Sequence, residues 1–94
     1  MIFMKHLSIH VYGLVQGVGF RYSVVQVAAD SEVTGTVENE MDGSVKIEAE
    51  GDEMKLYSFL QKIRQSPSPF AKVKTVDYDF SDNLKNYQKF TVIG

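Results

Sequence analysis

KHLSIHVYGLVQGVGFRYSVVQVAAD, residues 5–30, changes its hydrophobic period part-way along, and that change decides the fold. Up to Tyr12 the period is two. Leu7, Ile9 and Val11 alternate with His6, Ser8, His10 and Tyr12, which predicts a strand over Lys5 to Tyr12 with one apolar face. From Phe20 onward the period is helical. Phe20, Val24, Val27, Ala28 and Ser31 share one stripe, which predicts a helix from Arg21 to about Glu32. Between the two lies GLVQGVGFR, residues 13–21, with three glycines in seven positions and an arginine at its end. Glycine is costly to order, so such a run needs a physical reason.

Working outward, Thr34 to Glu40 reads as a second strand. Asp42-Gly43 is a tight-turn dipeptide between two alternating runs, a strong hairpin signal. Val45, Ile47 and Ala49 alternate with Lys46, Glu48 and Glu50 in a third strand. Gly51-Asp52 opens a second helix, with Asp52 the expected N-cap. Its Leu56, Phe59, Leu60 and Ile63 follow the i, i+3, i+4, i+7 pattern, and burying each is worth roughly 1.5–3 kcal/mol. SPSPF, residues 66–70, ends it. Lys72 to Phe80 forms a further strand whose alternation changes phase near Thr75. SDNLKN is a polar loop, and Tyr87 to Ile93 a short final strand.

The order β-α-β-β-α-β plus a terminal strand predicts an α+β fold, a ferredoxin-like βαββαβ sandwich with two helices on one face of an antiparallel sheet. The usual strand order, 4-1-3-2, sets the start of strand 3 beside the end of strand 1. The hairpin around Asn39 to Gly43 is therefore expected next to the glycine loop.

Composition bounds the function. A chain of 94 residues suits one small domain spanning 1–94. Apolar residues make up 44% and charged ones 23%, an ordinary globular mix. There is no cysteine, which excludes disulfides and thiolate metal sites and fits the cytoplasm. MIFMKHLSIH has no long apolar run after a basic segment, so no signal peptide is expected. Nowhere do about 18 apolar residues run together, so no membrane partner is expected. Net charge is −2 with the basic residues scattered, without the stripe expected of a nucleic-acid surface. A small acidic domain of this kind is most simply a monomer.

A strand, a glycine-rich loop and a helix N-terminus together make an anion cradle. Glycines let backbone N–H groups turn inward, and the helix start adds unpaired N–H groups. Arg21 adds a fork of donors matched to phosphate or carboxylate oxygens. Taken singly, each glycine has a plainer use in a tight turn, and Arg21 as a solvated first-turn residue. The whole run favours the anion site. A dinucleotide fingerprint fails here because Gly17 and Gly19 are followed by Tyr22 in an antiparallel context. A P-loop fails for want of its Gly-Lys-Ser/Thr.

Other candidates read more blandly. His6 and His10 share a strand face, but four strand residues span about 13 Å, too far for one ion. They are expected on the exposed sheet face. Ser23 has no acid or histidine partner nearby in sequence and reads as helix surface. Glu48, Glu50, Asp52 and Glu53 read as a solvated acidic face aided by the helix dipole.

GLVQGVGFR resembles the acylphosphatase signature G-x-V-Q-G-V-x-F-R. A second signature of that family, G-x-V-x-N-x-x-x-G-x-V-x(5)-G, is matched by Gly35, Val37, Asn39, Gly43, Val45 and Gly51. SPFAKV, residues 68–73, resembles a third stretch. The resemblance covers essentially the whole chain. It implies hydrolysis of the mixed anhydride between a carboxylic acid and phosphate, without a metal or other cofactor. It implies that the amides of Val15, Gln16, Gly17, Val18, Gly19 and Phe20, with Arg21, hold the phosphoryl group. It implies that Arg21 and Asn39 are catalytic, Asn39 orienting the attacking water. A hairpin asparagine ordinarily serves the turn. Parity argues back, since Val37 and Asn39 share a strand face and Glu38 points the other way. Position alone leaves the two readings even, and the resemblance decides for the catalytic one. Three departures stand out. Thr36 replaces the family's usual aromatic, Glu38 a basic or neutral residue, and Ser31-Glu32 a Leu-Gly pair.

Four functions compete. The first is a free-standing hydrolase of small acyl phosphates. The second is an RNA-recognition module on the same topology, which SVKIEAE, with no aromatic and two acids, argues against. The third is an acylphosphatase-like part of a larger maturation protein that handles carbamoyl phosphate. The end at Gly94 favours the free-standing form. The fourth is a non-catalytic phosphate-binding relative, which the presence of both Arg21 and Asn39 disfavours.

Overall fold

The two periods of residues 5–30 become β1 (Met4–Leu14) and α1 (Phe20–Ser31) in the computed structural model, which describes residues 3–94. Met1 and Ile2, where the stretch read for a leader starts, lie outside the described residues. The chain continues through β2 (Thr34–Asn39), β3 (Val45–Asp52), α2 (Glu53–Arg64), β4 (Lys72–Ser81) and β5 (Phe90–Val92). The sheet order is β4-β1-β3-β2-β5, so the expected 4-1-3-2 arrangement holds with β5 added at the edge.

The core lies between the helices and one face of this sheet. Leu7, Ile9 and Val11 sit opposite Ala49, Ile47 and Val45, and all six are buried. From α2, Leu56, Phe59, Leu60 and Ile63 close over them, and from α1, Phe20, Val24 and Ala28. Helix α1 begins one residue earlier than expected, because Gly19 takes a left-handed backbone (φ 75°) and ends the loop there. Asp52 stands at the N-cap of α2, but its side chain makes no capping hydrogen bond.

The phase change near Thr75 is a β-bulge. Tyr12 pairs with Thr75 but Gly13 pairs with Val73, which leaves Lys74 as the extra residue.

Three expectations need correction. The sheet is not antiparallel throughout: β5 runs parallel to β2, with Gly35 opposite Phe90 and Val37 opposite Val92. The reason is geometric. β4 finishes at the same end of the sheet at which β2 starts, with β1 and β3 between them, so the chain crosses the open face and leaves in the direction of β2. The crossing also shortens the last strand to Phe90–Val92, since Tyr87 packs over the open face, its ring 6.3 Å from that of His6.

That crossing loop buries residues expected in solvent. His6 is only 4% exposed. Its Nδ1 lies 2.6 Å from Glu50 and its Nε2 2.9 Å from Glu48. Glu50, expected in a solvated acidic face, is likewise buried and accepts the backbone amides of Lys85 and Asn86 at 2.6 and 2.9 Å. Burial alone lowers the affinity of His6 for its proton, but the bonds to Glu50 and Glu48 outweigh it and raise the pKa above the ordinary value. Burial likewise pushes Glu50 up, yet the Lys85 amide, His6 and the Asn86 amide hold it below the usual carboxylate range. His10 is half-buried and bonds Ser44 Oγ at 2.7 Å, and Ser44 Oγ in turn bonds the carboxylate of Asp42.

Candidate active site

The glycine loop joins the top of β1 to α1. Gly17 and Gly19 both adopt left-handed backbones, φ 74° and 75°, which side chains disfavour. A Cβ at either would meet nothing within 4 Å, so it is the backbone path and not crowding that calls for glycine. Among the described residues, the amides of Gln16 through Gly19 donate to no backbone acceptor, and the first helical bond runs from the Ser23 amide to the Gly19 carbonyl at 3.1 Å. The loop end and the first turn of α1 thus offer a run of free donors at the positive end of a helix.

Two side chains hold this loop. The Ser68 hydroxyl donates to the Val18 carbonyl at 2.7 Å, which ties the loop to the SPSPF segment. Gln16 Nε2 donates to the carbonyls of Glu40 and Ser44, each at 2.8 Å, and so ties it to the β2–β3 hairpin. The adjacency expected from topology is therefore present, made by a side chain that sequence reasoning placed in the cradle for its amide alone. Ser68 lies in a stretch singled out by resemblance, and its contact 50 residues away could not be read from spacing.

Asn39 ends β2 opposite Val45 and on the face of Val37, as parity requires. Its Oδ1 is buried and, among the described residues, has no hydrogen-bond partner. Its backbone N–H donates to the Gly94 carbonyl at 2.9 Å. The same carbonyl accepts Nη1 of Arg21, which extends from the first turn of α1. Arg21 and Asn39 therefore converge on one oxygen, and the guanidinium keeps further N–H donors for another anion. Glu38 pairs with Lys46 on the opposite face of β2. Thr36 shares that face.

A cavity of about 480 Å³ opens beside the loop and is lined by Gly17, Gly19 and Arg21 at one side. Asn39 is not part of its lining.

The comparisons with known proteins agree with this fold. The acylphosphatase family model matches residues 7–92. The acylphosphatase of Lactobacillus johnsonii is 46% identical over 90 residues, covering 96% of this chain and 99% of that protein. The crystal structure of acylphosphatase from Bacillus subtilis superposes with a TM-score of 0.92 at 39% identity, covering 96% of this chain and 99% of that one. The crystal structure of full-length HypF, in its phosphate- and nucleotide-bound form, matches all of this chain with 12% of its own length, at a TM-score of 0.91 and 28% identity. With the family model spanning nearly every element, and relatives matched along almost their whole length, the chain belongs to the acylphosphatase family.

Proposed function

We propose that the chain hydrolyses the carboxyl–phosphate anhydride of small acyl phosphates, the activity for which its family is named, with Arg21 and Asn39 as the catalytic residues. The observation that carries the assignment is that the Arg21 guanidinium and the Asn39 backbone N–H meet on the Gly94 carbonyl while Asn39 Oδ1 stays buried and, among the described residues, unpartnered. A buried carbonyl oxygen without a donor is costly, and a water proton is the donor it lacks.

The free amides of the loop and the guanidinium of Arg21 bind the phosphoryl oxygens. Asn39 Oδ1 accepts a hydrogen bond from a water and so turns the water's lone pair toward phosphorus. The new P–O bond forms as the bond to the acyl oxygen breaks, and that oxygen leaves with the electron pair as carboxylate. The water's proton passes to a phosphoryl oxygen, and inorganic phosphate departs. A carboxylate, whose conjugate acid has a pKa of about 4, needs no general acid to leave. Phosphoryl transfer depends chiefly on positioning and electrostatic stabilisation, which amides, a guanidinium and a carboxamide supply. No step calls for a metal. One chain supplies cradle, Arg21 and Asn39, which supports a monomeric working form, and a reducing compartment such as the cytoplasm suits a chain without cysteine.

The test is hydrolysis of benzoyl phosphate in EDTA by the wild type and by Asn39→Ala. Turnover is expected to survive EDTA. The variant is expected to lose on the order of 10²-fold or more in kcat, as when a transition-state partner is removed, while still binding phosphate. A variant at full rate overturns the role of Asn39. A folded wild type that binds phosphate without turnover leaves the non-catalytic reading.

A further inference from the structure

Ser44 is held from two sides by residues of one segment. Its carbonyl accepts Nε2 of Gln16, in the glycine loop, at 2.8 Å, and its hydroxyl oxygen lies 2.7 Å from Nε2 of His10, on β1. The stretch from His10 to Gln16 thus closes a ring on a single residue. Ser44 precedes Val45, the cross-strand partner of Asn39, and its carbonyl also accepts the Glu40 backbone N–H at 2.8 Å. We infer that His10 is a positioning residue: acting through Ser44, it fixes the separation between the glycine loop and Asn39. The inference rests on the hydrolase reading above, since it gives His10 a part in that reaction.

The inventory of hydrogens sets the direction of each bond. The Ser44 hydroxyl donates to Asp42 Oδ1, and the Ser44 backbone N–H donates to the same oxygen at 3.0 Å. These two bonds hold the Asp42 carboxyl below its usual range, so it is ionised and can only accept. With its one hydrogen spent on Asp42, the Ser44 oxygen accepts from His10, and Nε2 carries the hydrogen of that bond.

Three observations set this apart from a hydroxyl that merely finds a partner. Ser44 is 2% exposed, so water has little access to replace a lost donor. The His10 ring is itself held, stacked on Tyr12 with centroids 4.8 Å apart and planes 13° from parallel. The Ser44 carbonyl spends both lone pairs, on Gln16 and on Glu40, so a turn of Ser44 moves the loop, the hairpin or both. His10 is absent from the lining of the cavity beside the glycine loop, and its influence on the reaction is indirect.

The experiment compares the wild type with His10→Ala, His10→Gln, Ser44→Ala and His10→Ala/Ser44→Ala. Benzoyl phosphate turnover, inhibition by inorganic phosphate and the NMR resonances of the Gln16 and Asn39 side-chain NH2 groups are measured for each. His10→Ala is expected to lower kcat about fivefold and to leave the phosphate inhibition constant within about twofold, since a small shift between positioned groups costs rate more than binding. His10→Gln, whose Nε2 can donate from a similar place, is expected to recover most of the rate. In the Ser44→Ala background, His10→Ala is expected to cost less than about 1.5-fold, because the bond it removes is already gone. Both carboxamide resonances are expected to move in His10→Ala and to return in His10→Gln. An unchanged kcat in His10→Ala, or an equal loss in both backgrounds, overturns the inference. A wild type without turnover fails the hydrolase reading alone. The resonances then decide for His10: movement in His10→Ala supports its hold on the loop and Asn39, and no movement overturns it.

Discussion

Gln16 holds Ser44 across the site: its Nε2 donates to the Ser44 carbonyl at 2.8 Å, and to the Glu40 carbonyl at the same distance. One carboxamide thus spans the mouth of the hairpin that begins just after Asn39 and fastens it to the glycine loop. Both hydrogens of the NH2 group are used, so the geometry is over-determined. Gln16→Ala is expected to cost about tenfold in kcat, since small displacements of a positioned group are expensive. The affinity for inorganic phosphate, measured by competitive inhibition, should change by less than about threefold, because the loop amides and Arg21 are kept. Equal losses in kcat and phosphate affinity would show that Gln16 shapes the cradle itself.

Arg21 makes the opposite prediction. It reaches the Gly94 carbonyl with Nη1 and retains donors for a phosphoryl oxygen. Arg21→Ala should weaken phosphate inhibition by tenfold or more and reduce kcat as well, on the order of 10²-fold. Arg21→Lys keeps the charge but not the fork. It is expected to restore most of the phosphate affinity and only part of the rate. Full restoration of rate by lysine would mean that charge alone matters at this position.

Much of this arrangement was legible in sequence because it is local. β1, α1 and α2 each bury one face, so their periods show in a dozen residues, and Asn39 inherits its direction from Val37 by parity. The run of three glycines marked the loop itself, because ordering so many needs a physical reason. What could not be read depends on contacts far along the chain. The buried pair of His6 and Glu50 joins residues 44 apart, and the bond from Ser68 to Val18 spans 50. Each depends on where a polar loop crosses the sheet or where a proline-rich segment comes to rest. The direction of β5 belongs to the same class: a short run of alternating residues carries no information on which strand it joins.

The His6 pair gives stability a pH dependence of defined sign. Both ring nitrogens of His6 face carboxylates, so the imidazolium form satisfies both and the neutral ring only one. Its folded pKa is raised, so its contribution is complete below the ordinary value of 6.5 and is lost as pH rises through the folded pKa. Glu50 is shifted down, so its contribution is complete above 4.5 and is lost as pH falls through its folded pKa. Stability from this pair is therefore greatest between about pH 4.5 and 6.5. Raising the pH from 6 to 9 is expected to lower Tm by about 5 °C, near the effect of 1 kcal/mol in a domain of this size. In His6→Gln that alkaline decline should disappear. A decline of equal size in the variant would assign it to other groups.

The end of α1 offers a stabilising change. Glu32 occupies the left-handed position after the helix, φ 57°, and its amide bonds the carbonyls of Ala28 and Ala29. Glycine suits this position because a Cβ does not crowd the backbone there. This is one of the places where the sequence departs from its family's Leu-Gly pair. Beside it, Ser31 is buried, and its hydroxyl has no partner among the described residues. Glu32→Gly keeps the capping bonds and relieves the left-handed strain. It gives up an exposed contact with Lys55 at 3.4 Å, which contributes little in water. The expected gain is about 1 kcal/mol, or roughly 4–8 °C in Tm. Ser31→Ala should add to it by removing an unpaired buried hydroxyl and placing a better helix former in the last turn. Neither position touches the cradle, Arg21 or Asn39, so benzoyl phosphate turnover at 25 °C should stay within about twofold of the wild type. Thermal melts of the two single variants and the double decide the matter. A lower Tm for Glu32→Gly would mean that glycine's freedom in the unfolded chain outweighs the strain relieved in the folded one.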